Sequence, residues 1–139
     1  MSRVARILVA VVAVLTLFGA LIADALGPGA AQHLSNANWP PHAKFHDAQY
    51  IVMSMLIGAI ALVLLARRGA VLVSAALLST PWFGMFGALA FPGTSMLDPD
   101  FDEPSAYVLG AHPQIWIATV LLAVLLLAVI LEMRHRRRN

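Results

Sequence analysis

The chain has 139 residues, of which 60% are hydrophobic and 12% are charged, and its mean hydropathy is +0.82. A soluble domain is nearer half apolar and one quarter charged, and a disordered chain has still fewer apolar residues, so the composition excludes both classes. The chain has no cysteine, which excludes a disulfide framework, an iron–sulfur cluster and a thiol nucleophile.

Four apolar segments predict an all-α integral membrane protein, an antiparallel four-helix bundle in a single domain. A helix that spans a membrane needs about 20 mainly apolar residues. The segments cover about residues 7–26, 50–66, 70–91 and 115–131, and they leave two outer loops at about 27–49 and 92–114. The first segment follows two arginines, as a signal peptide does, but its apolar run is longer than the usual 7–15 residues, which favours a retained helix.

The distribution of charge predicts the orientation in the cell membrane. Eight of the nine basic residues are arginines at the N-terminus, in the middle turn and at the C-terminus, which four spans place on one side. Because segments rich in arginine and lysine stay inside, both termini are predicted to be cytoplasmic and both long loops extracytoplasmic. The basic tail, residues 134–138, then contacts anionic lipid headgroups. We therefore expect the lipid bilayer as a partner and no nucleic acid.

Histidines concentrate on the predicted outer side. His42 and His46 are four residues apart, so they share one face of a helix, and His33 and His112 belong to the same predicted layer. These four histidines are the candidate metal ligands, because imidazole combined with carboxylate suits divalent zinc, iron or copper. The pair lacks the glutamate of the zinc-protease motif H-E-x-x-H and has Ala43 in its place, which argues against that class.

Two acidic residues lie close to these histidines in the predicted topology. Asp47 follows His46 directly, and Asp24 lies near the outer end of the first span, where an ionisable group is costly and suggests a function. His42, His46, Asp24 and Asp47 are therefore the candidate catalytic residues of an acid–base site. Two alternatives stay open: a polar site without metal, and a structural role in which Asp24 reaches the headgroups.

The third span combines helix-breaking and aromatic residues. Pro81 removes one backbone hydrogen bond, and Gly84 and Gly87 allow close helix packing or leave room for a ligand. Next to them are Trp82, Phe83 and Phe86. The pattern is compatible with a pocket for a lipophilic small molecule beneath the histidines, but it favours ordinary bundle packing around a proline kink, because membrane helices tolerate both proline and glycine.

One run of residues resembles a family signature. The sequence His33-Leu34-Ser35-Asn36, followed by Trp39-Pro40-Pro41-His42-Ala43-Lys44-Phe45-His46, is similar to the H-x-x-N…W-P-P-H-A-K-F-H loop of a group of small four-span membrane proteins. It departs from that signature at Ala37, where the signature has proline. The number of spans also resembles the DoxX-like membrane proteins. The resemblance implies a four-helix bundle with an outward-facing, histidine-rich first loop, and it implies no reaction.

Three hypotheses about function follow. The leading one is a small membrane enzyme, metal-dependent or acid–base, acting on a lipophilic molecule such as a quinone, terpenoid, sterol-like compound or polyketide. The second is a non-catalytic accessory or interaction subunit, in a membrane complex or a homo-oligomer. The third is a small ligand-binding or transport protein, which is less well supported because the polar residues gather at one end of the spans.

Overall fold

The computed structural model describes residues 2–68 and 70–138, without the side chains of Pro28 and Arg68. In this part of the chain the fold is all-α and has no β-strand. Its four long helices are α1 (Arg3–Ala20), α2 (Pro41–Arg68), α3 (Val71–Ala88) and α4 (Pro113–Arg138). The predicted all-α fold with four helices is confirmed. Gly69 and the side chain of Arg68, which belong to the middle turn between the second and third spans, lie outside the described residues.

Each of the four helices is long and apolar enough to cross a membrane. Only 22–33% of the most apolar stretch of each helix is buried inside the bundle. The outer surface consists largely of big apolar side chains, for example Ile22 and Leu126, which are 57% and 61% exposed. A surface of this kind suits a lipid bilayer, since acyl chains are as apolar as leucine.

Two helices extend well past the apolar segments of the sequence. Helix α2 has 28 residues, which is about 42 Å and longer than the roughly 30 Å hydrocarbon core of a bilayer. It begins at Pro41, where the carbonyl of Pro40 accepts hydrogen bonds from Ala43 and Lys44. Proline suits a first turn because its missing N–H needs no partner there. His42 and His46 therefore lie on a helix, and the basic tail belongs to the end of α4.

The helices pack around the bundle in chain order. Helix α1 contacts α2 and α4, α3 contacts the same two helices, and α1 and α3 meet across the middle. The N–H of Ser2 donates to Glu132, a residue 1% exposed that also accepts from Arg136, so the start of α1 is held beside the end of α4. The hydroxyl of Ser74 donates across to the carbonyl of Ala61 and joins α3 to α2.

Helices α1 and α2 approach each other closely at Gly58. A Cβ atom at this position would lie 2.7 Å from the Ala13 carbonyl oxygen and 2.7 Å from the Leu17 nitrogen. Small residues let helix backbones come together in membranes, where dispersion contacts rather than the hydrophobic effect favour association. The closeness of α1 and α2 brings the polar ends of both helices together.

Helix α3 continues through Pro81, and the carbonyl that the proline leaves without its usual donor still accepts a hydrogen bond. Proline has no N–H to donate to Leu77, four residues earlier. The hydroxyl of Thr80 donates to the Leu77 carbonyl instead, at 2.7 Å. The residue before the proline thus supplies the hydrogen bond that the proline removes.

Candidate functional site

Asp24 lies where α1 changes its winding. The last six residues of the apolar segment, Leu21–Leu26, form a π-helical stretch that continues α1, and Asp24 within it is only 5% exposed. Wider π turns are frequent at functional sites because the extra residue redirects a side chain. The chain then turns back tightly: a Cβ at Gly27 would lie 2.3 Å from the Ile22 carbonyl oxygen, and one at Gly29 would lie 2.6 Å from that of Ala23.

This turn brings His33 to Asp24. The Nδ1 atom of His33 is 3.1 Å from the Gly29 carbonyl oxygen, and its Nε2 atom is 3.7 Å from Oδ1 of Asp24. Because a carbonyl only accepts, Nδ1 must hold the proton in that hydrogen bond. A neutral ring then presents the Nε2 lone pair to the carboxylate side. Histidines that bind metals are commonly oriented in this way by a backbone carbonyl.

Asp47 completes a cluster of three potential ligands. Asp24, His33 and Asp47 each offer one ligand atom, and these atoms all lie within 4.8 Å of one another. The Oδ2 atom of Asp47 is buried and has no hydrogen-bond partner among the described residues, a condition it shares with Thr16 Oγ1 and Trp82 Nε1. Burying a carboxylate oxygen without a hydrogen-bond partner is costly, so this atom is free to bind a further group.

The cluster lies in the wall of a cavity of about 490 Å³. This volume is in the range of small-molecule sites, about 300–1,000 Å³. Most of the remaining lining is apolar and comes from α2 and α3. Besides the cluster, the lining residues are Tyr50, Met53, Ser54, Ile57, Thr80, Pro81, Gly84, Met85, Ala88 and Gln114.

The third span contributes to this cavity differently from the prediction. Pro81 and Gly84 line the cavity. None of the three aromatic residues proposed for it is among its lining residues. Trp82 lines a small void beside Thr16, and Phe83 is 61% exposed and lines a separate apolar cavity between α3 and α4. The cavity next to the carboxylates therefore has few aromatic side chains.

His42 and His46 lie apart from the cluster. Both are exposed on the first turns of α2, and their Nε2 atoms are 3.0 Å from each other. In the described part of the chain, the three-residue ligand group includes neither of them. The structure thus joins Asp24, His33 and Asp47 of the predicted site, and it places the histidine pair on another face of the helix.

His112 is associated with the start of α4. It is half-buried, and its Nδ1 atom accepts a hydrogen bond from the N–H of Gln114 at 3.4 Å. Burial lowers the pKa of His112 below its ordinary value, because removing the ring from water disfavours the charged form. A neutral ring with its Nδ1 lone pair on a backbone N–H resembles a helix cap.

The second long loop is attached to the first beside His33. The Nε1 atom of Trp39 donates to Asp98 at 2.7 Å, and the Trp39 ring lies 5.5 Å from the ring of His33. Farther along, Asp102 accepts from the Tyr107 hydroxyl at 2.6 Å, which raises the pKa of Tyr107. Asp98 therefore joins the two long loops, and Asp102 makes a contact within the second loop.

Sequence reasoning did not assign Ser54 and Gln114 to the site. For Ser54 a signal was present, since Asp47, Tyr50 and Ser54 follow the spacing i, i+3, i+7 of one helical face. Gln114 comes from α4, and nothing in its neighbouring sequence relates it to the end of α1.

Comparisons with known proteins give one match. Searches of the curated proteins and of the solved structures found none. A family model, described as a family of unknown function, matches residues 8–139, which is nearly the whole chain. The protein with this four-helix architecture therefore belongs to the family of unknown function DUF6640.

Proposed function

We propose that this chain is a multi-pass membrane protein that binds a divalent transition metal at Asp24, His33 and Asp47 and acts on a lipophilic molecule in the adjoining cavity. The observation that supports the proposal is the convergence of three ligand atoms within 4.8 Å on the wall of a cavity of about 490 Å³. Two of these residues, Asp24 and Asp47, also belong to the acid–base set predicted from the sequence.

The charge of the cluster favours a metal. Two carboxylates come close together in a setting that is partly removed from water, and His33 is the one potential cation of the three. Two negative charges at short range in a low dielectric repel each other strongly. A divalent cation would neutralise both, and it would use the free Oδ2 atom of Asp47. Ligand distances of about 2.0–2.2 Å to zinc would draw the three side chains somewhat closer.

The number of ligands favours a reactive site over a structural one. Structural zinc sites have four protein ligands, whereas catalytic sites have three and leave a position for water or substrate. The cluster offers three ligands beside a cavity, and Tyr50 and Ser54 add hydroxyl groups to the lining. Carboxylate and imidazole together suit zinc and iron.

The cavity wall favours a lipophilic substrate. Apart from the cluster and a few polar groups, its lining is apolar and comes from helices whose outer surfaces suit lipid. A molecule with an apolar body and one polar head would place the head at the metal. We also propose that the cluster lies on the extracytoplasmic side, because the arginines concentrate at the opposite ends of the helices.

Metal analysis of the purified protein tests the proposal. The protein is prepared with an affinity tag that contains no histidine, in detergent, and its metal content is measured by mass spectrometry after reconstitution with Zn²⁺ or Fe²⁺ and dialysis. We expect close to one metal per chain. Asp24→Asn, Asp47→Asn and His33→Gln should each reduce affinity by about tenfold or more, given that changes beside a ligand already cost 10–100-fold.

Asp100→Asn is the matched control, because it neutralises an exposed acid in the second loop and should leave metal content unchanged. Failure of the wild type to retain metal, or full retention in all three cluster variants, would refute the metal site. A metal-free protein that purifies with a stoichiometric protein partner would favour the accessory-subunit hypothesis.

A further inference from the structure

His42 and His46 form a second group of potential ligands, outside the cavity. Both side chains are exposed on the first turns of α2, their rings are 4.4 Å apart between centroids, and the two Nε2 atoms are separated by 3.0 Å. Nothing in the proposed function uses this pair.

The distance between the two nitrogens matches that of a chelate. Imidazole nitrogens bind zinc at about 2.0–2.1 Å, so two of them at right angles around one metal are about 3 Å apart. Histidines one turn apart on a helix reach this separation without backbone movement. The exposed position leaves the other coordination sites to water.

A neighbouring side chain orients one of the rings. The Nδ1 atom of His46 lies 3.3 Å from Oε1 of Gln49. Because an amide oxygen accepts, Nδ1 holds the proton in this hydrogen bond. The Nε2 atom of the neutral His46 ring is then unprotonated and accepts a hydrogen bond from Nε2 of His42, whose proton a bound metal would replace. A hydrogen bond such as the one from His46 to Gln49 fixes the tautomer of metal-binding histidines.

We propose that His42 and His46 chelate Cu²⁺ at the protein surface, as a site separate from Asp24, His33 and Asp47. Two adjacent imidazoles completed by water suit the tetragonal geometry of Cu²⁺ and Ni²⁺, and Cu²⁺ binds most tightly among first-row divalent metals. His46 and Asp47 are neighbours in sequence, but successive residues of a helix point about 100° apart, so the two sites can bind metal independently.

Copper titration of the detergent-solubilised protein, with a histidine-free tag, tests the site. Electron paramagnetic resonance of the bound Cu²⁺ should show hyperfine coupling to two imidazole nitrogens. His42→Ala and His46→Ala should each weaken binding by about tenfold or more and remove the two-nitrogen signal, and Gln49→Leu should weaken it less. His42→Gln and His46→Gln, with helix content measured by circular dichroism, keep the test valid if an alanine variant misfolds.

Two controls separate this site from the proposed function. Asp24→Asn should leave the two-nitrogen copper signal unchanged, and His112→Ala should leave it unchanged as well. Copper binding that persists at full strength in the double variant His42→Ala/His46→Ala overturns the proposal. Copper binding that is lost with Asp24→Asn overturns the independence of the two sites.

Discussion

At Gly84 the absence of a side chain leaves the wall of the cavity open. Gly84 lines the cavity next to the cluster, and no atom lies within 4 Å of a Cβ built at this position. Gly84→Leu should therefore fit without a backbone clash and occupy part of the ligand volume. Even one methylene in an apolar pocket changes affinity by about 10–200-fold, so we expect retention of lipophilic ligand to fall by at least about tenfold.

The measurement is mass spectrometry of the lipid-like molecules that purify with the protein, together with metal content. Gly87→Leu is the matched control, because Gly87 also has free space around its Cβ but does not line the cavity. Metal content should stay the same in both variants. Equal ligand retention in the two would show that the cavity is not the binding place.

The residues of the cluster show which parts of the site could be predicted from the sequence. Asp24, His33 and Asp47 were all recognisable as candidates, because each is a titratable residue at the predicted outer end of the spans. Their grouping was not recognisable. The Gly29 carbonyl orients His33, and this contact depends on a turn whose shape hydropathy does not encode.

Among the helices, the contact of α1 with α2 at Gly58 leaves no room for added volume. At Gly58 a new methyl group would meet backbone atoms of Ala13 and Leu17, which cannot move aside as a flexible side chain can. Overpacking costs about 1–3 kcal/mol, and the better helix propensity of alanine returns about 1 kcal/mol or less. Gly58→Ala should therefore lower the stability of the bundle.

Thermal unfolding in detergent, followed by circular dichroism, measures the effect of Gly58→Ala. Gly19→Ala serves as the comparison, since Gly19 lies in α1 with nothing within 4 Å of its Cβ, and this variant should unfold at the same or a higher temperature. Equal unfolding temperatures for the two variants would contradict the close approach of α1 and α2 at Gly58.

The end of α1 has a feature that a hydropathy pattern does not predict. The apolar segment and the helix both end at Leu26, but the last six residues are π-helical. The hydropathy of an apolar stretch is the same whether it forms an α-helix or a π-helix. The backbone of this stretch lies close to Gly27 and Gly29, a contact that the apolar pattern does not predict.

For the whole molecule, the orientation in the membrane is open to a direct test. The chain has no cysteine, so one introduced cysteine reports one position. A membrane-impermeant maleimide should label Ser105→Cys on intact cells, because the acidic loop is predicted to be outside. It should label Arg137→Cys only after permeabilisation, because arginine-rich ends stay in the cytoplasm. The reverse pattern would invert the proposed orientation.

The similarity to DoxX-like proteins stays a prediction at this scale, because it rests on span count. The family match covers residues 8–139 and assigns no activity, so the proposed function depends on the geometry of the cluster.

The sequence by itself determined that the chain has four long apolar helices and that its polar, titratable residues gather toward one end of them. Both properties depend on the types of residues that are close together in the sequence, so they can be predicted without knowing the fold. Only the tertiary structure decided which of these residues meet. His33 joins Asp24 and Asp47 through a tight turn, while His42 and His46 stay on an exposed face of α2, because contacts between distant residues depend on side-chain direction and on the shape of the intervening loop.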